Sequence, residues 1–208
     1  MIEIFPPQLS GIGAAMFLPD IDTDTIIPID YCVNRARPNF DVGLFRSWRF
    51  DNEGRDKTDF ILNRAPFRSA KILVAGPNFG CGSSREMAVW ALVDFGIRCI
   101  IAPSFGEIFY NNCFQNNLLA AKVSSRTARN LAAVITEPDD ASLTVDLQAN
   151  AITDHAGCQY DFELDQLRSD MLLNGLDSIA ASLVRQTDIE DFEKMDARSR
   201  PWVHRVGA

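Results

Sequence analysis

The sequence predicts an α/β fold with a mixed, partly parallel sheet, and three observations carry that prediction. "KILVAG" (71–76), "SREMAVWALVDFG" (84–96) and "CIIA" (99–102) read as strand, helix and strand, a parallel βαβ unit around residues 71–102. "LLAAKV" (118–123) reads as a further strand after a second helix. "SLTVDL" (142–147) and "QYDFEL" (159–164) flank a polar segment and read as an antiparallel hairpin.

Each element has a local reason. The first strand is a short apolar run ending at Gly76. In the helix after it, Met87, Ala88, Ala91, Leu92 and Phe95 fall on one face, and Gly96 stands where a helix-ending glycine should. Ser104 followed by Glu107 has capping-box spacing and predicts that the second helix starts there. "QLRSDMLLNG" predicts a helix closed by Gly175, and Thr187 with Glu190 a second capping box for the helix over "TDIEDFEKM". From Ala197 no periodicity remains, so 197–208 is expected to be a loose tail. At 208 residues the chain is expected to form one domain, 1–208.

Composition narrows the function. Apolar residues make up 47% and charged residues 23%, enough for a sizeable core. The formal charge of −8 gives no general attraction to nucleic acid or anionic lipid, so any bound anion must be held locally. No apolar run reaches the length of a membrane span, and the first residues lack the pattern of a signal peptide; a cytoplasmic protein is expected. Five scattered cysteines (Cys32, Cys81, Cys99, Cys113, Cys158) without a CxxC fit neither a disulfide framework nor a self-contained metal site. They are expected to be reduced and mostly buried, Cys81 excepted. The polar, arginine-rich segment 33–59, interleaved with Phe and Trp, reads as a functional loop or lid.

The stretch with the most chemistry is "GPNFGCGSSRE" (76–86), which joins the end of a strand to the start of a helix. Unpaired amides at a helix N-terminus favour an anion. Gly80 and Gly82 would let loop backbone approach it, Ser83 and Ser84 add hydroxyls at the cap, and Arg85 adds a fork suited to a carboxylate or phosphate. P-loop, dinucleotide and nucleophile-elbow patterns all fail at this loop. A serine cap beside a surface Arg–Glu pair is the plainer reading. In "LPDIDTDTIIP" (18–28), Asp20, Asp22 and Asp24 alternate, which places three carboxylates on one side of an extended chain. That row could hold a metal or be a solvated stretch; it has no EF-hand continuation.

Together "DIDTDTIIP", "FRSWRF", "NFGCGSSRE", "WAL", "IAPSFGEIFYNNCFQNNLL" and "NGLDSI" closely resemble the small subunits of bacterial 3-isopropylmalate dehydratases, in the aconitase superfamily. The resemblance runs from about residue 8 to about residue 195. It implies an aconitase-type swivelling β/β/α domain that closes over an active site carried mainly by a partner. It also implies a large subunit with a [4Fe–4S] cluster, no cofactor on this chain and a small dicarboxylate substrate; from charge and apolar-run length, no role is expected for nucleic acid or membrane. By the same resemblance Ser83 is the base that removes the proton next to a carboxylate. Ser84 and Arg85 hold substrate carboxylate, and Asp24 supports the site. Arg37 lies in a substrate-specificity loop of about 31–59. Two stretches depart from the family pattern. Met87 stands where the family usually has histidine, and "NRARPNFDVGLF" replaces a "TRTGFG"-like stretch, with Arg37 matching its arginine. These differences leave open a paralogous hydratase for 2-methylmalate or citraconate-type acids, and a non-catalytic carboxylate-binding module also stands as an alternative.

Overall fold

A computed structural model of the chain describes residues 4–33, 36–82, 85–176, 180, 183 and 185–203. Its centre is a seven-stranded mixed sheet in the order β4-β3-β2-β1-β5-β6-β7. The strands are β1 (Gln8–Met16), β2 (Ile72–Ala75), β3 (Cys99–Ala102), β4 (Leu119–Lys122), β5 (Ser142–Asp146), β6 (Ala151–Asp154) and β7 (Gln159–Asp161). β1 is the junction. Its first half pairs antiparallel with β5 (Leu9 opposite Val145) and its second half parallel with β2 (Ala15 opposite Val74). β2, β3 and β4 continue parallel, while β5, β6 and β7 form an antiparallel meander.

The parallel strands are apolar, apart from Lys122 at the end of β4, because both of their faces are covered, and every residue of β2 and β3 is buried. Helix α3 (Glu86–Phe95) crosses from β2 to β3, and α4 (Glu107–Gln115) from β3 to β4. Helix α5 (Ser125–Val134) packs across β1, β2 and β3, capped by the Ser124 hydroxyl accepting from the Thr127 amide. Gly96 ends α3 and Gly175 ends α6 (Gln166–Asn174), both with positive φ as the sequence predicts. Among the described residues the last helix, α7, spans Gln186–Ser199 and so runs into the stretch expected to be loose. Among the described residues no helix is long and apolar enough to cross a membrane.

Several expectations need correction. The stretches "SLTVDL" and "QYDFEL" are not hairpin partners, because β6 lies between them and pairs with both β5 and β7. Strand β1 and helix α5 had no counterpart in the sequence reading. Ser104 does not cap α4. The N-cap is Gly106, and the Ser104 hydroxyl instead accepts the Asn78 amide at 2.9 Å. Thr187 sits inside α7, whose cap position is Arg185. The aspartate row is not extended either, since the one-turn helix α1 (Thr23–Ile26) begins there.

Residues 36–69 carry little regular structure beyond the one-turn helix α2 (Arg46–Arg49) and short 3-10 turns. They are held by polar side chains instead. Buried Asn63 donates to the carbonyls of Arg49 and Lys57 and accepts from Arg49 Nε at 3.3 Å. Arg49 in turn donates to the Asp41 carbonyl at 2.9 Å, and burial pushes its guanidinium below the ordinary arginine value. Phe45, Trp48 and Phe60 pack ring to ring alongside. Asn63→Ala leaves these carbonyls without their side-chain donor and is expected to cost about 2 kcal/mol, read as a lower urea midpoint at unchanged slope.

Candidate active site

The three loops that leave the C-terminal ends of β1, β2 and β3 lie side by side and extend the parallel sheet by one more row of backbone hydrogen bonds. On one flank of the glycine loop, the Asp20 amide donates to the Pro77 carbonyl (3.0 Å), Gly80 to Ile21 (2.7 Å) and Thr23 to Cys81 (3.0 Å). On the other, the Phe79 amide donates to the Ser104 carbonyl (3.1 Å) and Gly106 to Phe79 (2.9 Å). Asp22 with Cys81 and Phe79 with Phe105 form parallel bridges. Strand C-terminal ends are where open α/β sheets place their ligands.

This row changes the account of the glycines. Gly80 has φ +72°, and a Cβ there would fall 2.2 Å from the Phe109 ring; a Cβ on Gly106 would fall 2.4 Å from the Gly80 carbonyl oxygen. Close packing of loop on loop and loop on α4 therefore requires both. The Gly80 amide is already donated to Ile21, so it is not a free donor for an anion, contrary to the sequence expectation. Gly82 takes φ +90°, and among the described residues a Cβ there would meet the Asp22 Cβ (3.5 Å) and the Thr23 hydroxyl (4.0 Å).

Asp22 caps α1, its carboxylate accepting the Thr25 amide at 2.7 Å, and Asp20 accepts from Asn78 Nδ2 at 2.7 Å. Two of the three carboxylates thus organise loops. The third, Asp24, forms an ion pair with Arg85, whose Nη1 also donates to the Ile27 carbonyl at 3.2 Å. The Arg85 side chain is only 17% exposed, against 55% for Asp24. Arg85 is also the N-cap residue of α3, with no side-chain cap bond, so the cap falls after the serine pair rather than on it. Ser83 and Ser84 lie outside the described residues, between Gly82 and Arg85 in the chain. Arg37 is brought to α3 by a different route: it donates to Asn116 at 3.2 Å, stands 3.7 Å from Asp94 and lies over the Trp90 ring.

A hollow of about 310 Å³ opens beside the loop, lined by Asn78, Gly80, Cys81, Gly82 and the start of α4 from Gly106 to Phe109. A larger hollow of about 640 Å³ between α4, β4 and α6 shares Glu107 with it but touches none of the glycine loop. The first is the one that adjoins the glycine loop. Cys81 sits at its wall, half-buried, its thiol pushed up by burial and then by Asp22 and Asp20. Cys32 was not expected here. It is close enough for the charges of Arg85 and Asp24 to act on it, and burial is the main cause of its raised thiol pKa. Only Cys99 and Cys113 are fully buried, and Cys158 is exposed, against the expectation of mostly buried cysteines. Among the described residues no group of three or more His, Cys, Asp or Glu side chains could hold a metal ion.

Comparison with known proteins agrees with this geometry. The family model for the aconitase C-terminal domain matches residues 7–126. The 3-isopropylmalate dehydratase small subunit of Rhizobium etli (strain CFN 42) is 48% identical over 94% of this chain and 96% of its own length. That of Mesorhizobium japonicum is 45% identical over 94% of this chain and 97% of its own. The crystal structure of 3-isopropylmalate dehydratase from Methanocaldococcus jannaschii superposes with a TM-score of 0.60 at 25% identity, covering 89% of this chain and 99% of that one. The chain belongs to the aconitase C-terminal domain family and, within it, to the 3-isopropylmalate dehydratase small subunits.

The cysteine environments predict an order of alkylation. The thiolate is the reacting form, so thiols held above their ordinary pKa react slowly near neutrality. With iodoacetamide at pH 8, exposed Cys158 is expected to react first, with Cys81 and Cys32 at least about tenfold slower, by peptide mass spectrometry. Raising the pH toward 10 should close the gap. Equal rates at pH 8 would mean that Cys81 is an activated thiol.

Proposed function

We propose that this chain is the swivelling small subunit of a cytoplasmic hydro-lyase that interconverts 2-isopropylmalate and 3-isopropylmalate by losing and re-adding water, as leucine biosynthesis requires. One observation supports this reading above the others. The half-buried Arg85 fork, held by Asp24 and the Ile27 carbonyl, stands at the start of α3 immediately after the serine pair. A guanidinium so fixed offers a substrate carboxylate two parallel donors in a set direction, which a lysine cannot.

The chemistry follows from what this chain can contribute. The proton to be removed lies next to a carboxylate, and a serine hydroxyl is a poor base in water because its alkoxide is strongly disfavoured. The amides at the start of α3 and the neighbouring guanidinium supply positive potential where Ser83 precedes the helix, and that lowers the cost of the alkoxide. Ser83 takes the proton, Ser84 and Arg85 hold the carboxylate, and Asp24 keeps the Arg85 fork aimed. Arg37 belongs to the loop that faces the variable side chain of the substrate. Water leaves, an enzyme-bound alkene remains, and addition of water at the neighbouring carbon gives the isomer. A [4Fe–4S] cluster on a large-subunit partner would supply the Lewis acid for the departing hydroxyl. This chain is proposed to bind no cofactor itself.

Co-purification with a large subunit under anaerobic conditions, followed by alkene absorbance, tests the reading. Isopropylmalate and 2-methylmalate or citraconate should be offered side by side, and turnover with preference for isopropylmalate is expected. Preference for the smaller acid would assign the chain to a paralogous hydratase, and no turnover with an intact cluster would favour a carboxylate-binding module. In the same complex Ser83→Ala is expected to assemble normally and to lose at least about a thousandfold in kcat. Arg85→Lys should raise KM and lower kcat together, because one ammonium cannot span both carboxylate oxygens.

A further inference from the structure

The side-chain amide of Asn116, at the C-terminal end of α4, makes four hydrogen bonds. Its Oδ1 accepts from Arg37 Nη1 (3.2 Å) and Trp90 Nε1 (2.9 Å), and its Nδ2 donates to Glu86 Oε1 (3.0 Å) and the Asn112 carbonyl (3.0 Å). Two donors and two acceptor sites are all that an asparagine amide has. The orientation is fixed by chemistry as well. Indole and guanidinium can only donate, and a carboxylate and a carbonyl only accept, so a flipped amide would set like against like at all four contacts.

The four partners belong to three parts of the molecule. Arg37 lies in the segment that follows Tyr31, Glu86 is the first residue of α3 next to Arg85, and Trp90 lies one turn further along α3. Arg37 is further held over the Trp90 ring, 5.3 Å from its centre, and near Asp94. Asp94 Oδ2 accepts the amides of Asn39 and Phe40, each at 3.0 Å. The segment 37–40 is thus fastened to α3 at two points. Asn116 is the one that also grips the start of the helix, where Arg85 stands.

We infer that Asn116 is a positioning and specificity-determining residue, fixing the Arg37 loop relative to the Arg85 end of α3 and so setting the space left for the substrate side chain. It touches no reacting atom and acts through Arg37 and Glu86. The inference rests on the dehydratase reading above.

The test is steady-state kinetics of the reconstituted complex with isopropylmalate and with 2-methylmalate. Asn116→Ala is expected to raise KM for isopropylmalate about tenfold, leave kcat within about threefold and shift the preference between the two acids. Asn116→Asp keeps the acceptor for Arg37 and Trp90 but sets a carboxylate against Glu86, and should also raise KM. Adding Glu86→Gln to that variant restores an N–H between the two positions and is expected to recover at least about half of the KM effect on a logarithmic scale. Unchanged KM and preference in Asn116→Ala would overturn the inference, as would a fall in kcat alone, which reports fewer active complexes rather than a displaced loop. Failure of Glu86→Gln to rescue Asn116→Asp would overturn it too. A wild-type complex inactive on both acids would instead remove the dehydratase reading, and this inference with it.

Discussion

The site depends on one row of backbone hydrogen bonds. Past the ends of β1, β2 and β3, the amides of Asp20, Gly80, Thr23, Phe79 and Gly106 keep three loops in the register of the sheet below them. Loops are usually the mobile part of an α/β domain. Here the middle one is paired on both sides between Pro77 and Cys81, so that stretch inherits the order of the strands. The first loop is pinned to the second by that row, and its Asp24 pairs with Arg85 at the start of α3.

Side chains complete what the backbone begins, and they do it with few charges left over. Asp22 is spent on the cap of α1, Asp20 on Asn78, and Asp24 on Arg85. On the far side of α3, Asp94 and Asn116 do for the Arg37 segment what the backbone row does for the glycine loop. The acidic chain therefore presents an oriented guanidinium, held by its carboxylate partner, inside a molecule whose overall charge is negative.

Much of this was legible in the residues, and the failures have physical causes. Short apolar runs gave β2, β3 and β4, because both faces of those strands are covered, and Gly96 and Gly175 gave the ends of α3 and α6. β1 was missed because Gly11 and Gly13 break its pattern; the side chains of Lys71 and Leu143 fill the space a Cβ would take. β6, four residues long, was lost inside a polar stretch. The capping-box spacing at Ser104 was real, but the Asn78 amide, 26 residues away in sequence, claims the hydroxyl. Alternating aspartates predict an extended chain only if no cap intervenes, and Asp22 is a cap. At the site, the family resemblance singled out Arg85 and Asp24, and the structure joins them in an ion pair. Cys32 and Asn116 could not be found by local pattern, since what brings them in is tertiary.

The allotment of the glycines has a consequence for how such sequences diverge. Gly80 and Gly106 are demanded by the packing of loop on loop and on Phe109, so they answer to stability. A descendant that abandoned the reaction would still be under pressure to keep them. The glycine signature thus certifies the scaffold, whereas the chemistry proposed above rests on the three residues that follow Gly82. Two chains can share the first and differ in the second, and only the second tells an enzyme from its silent cousin.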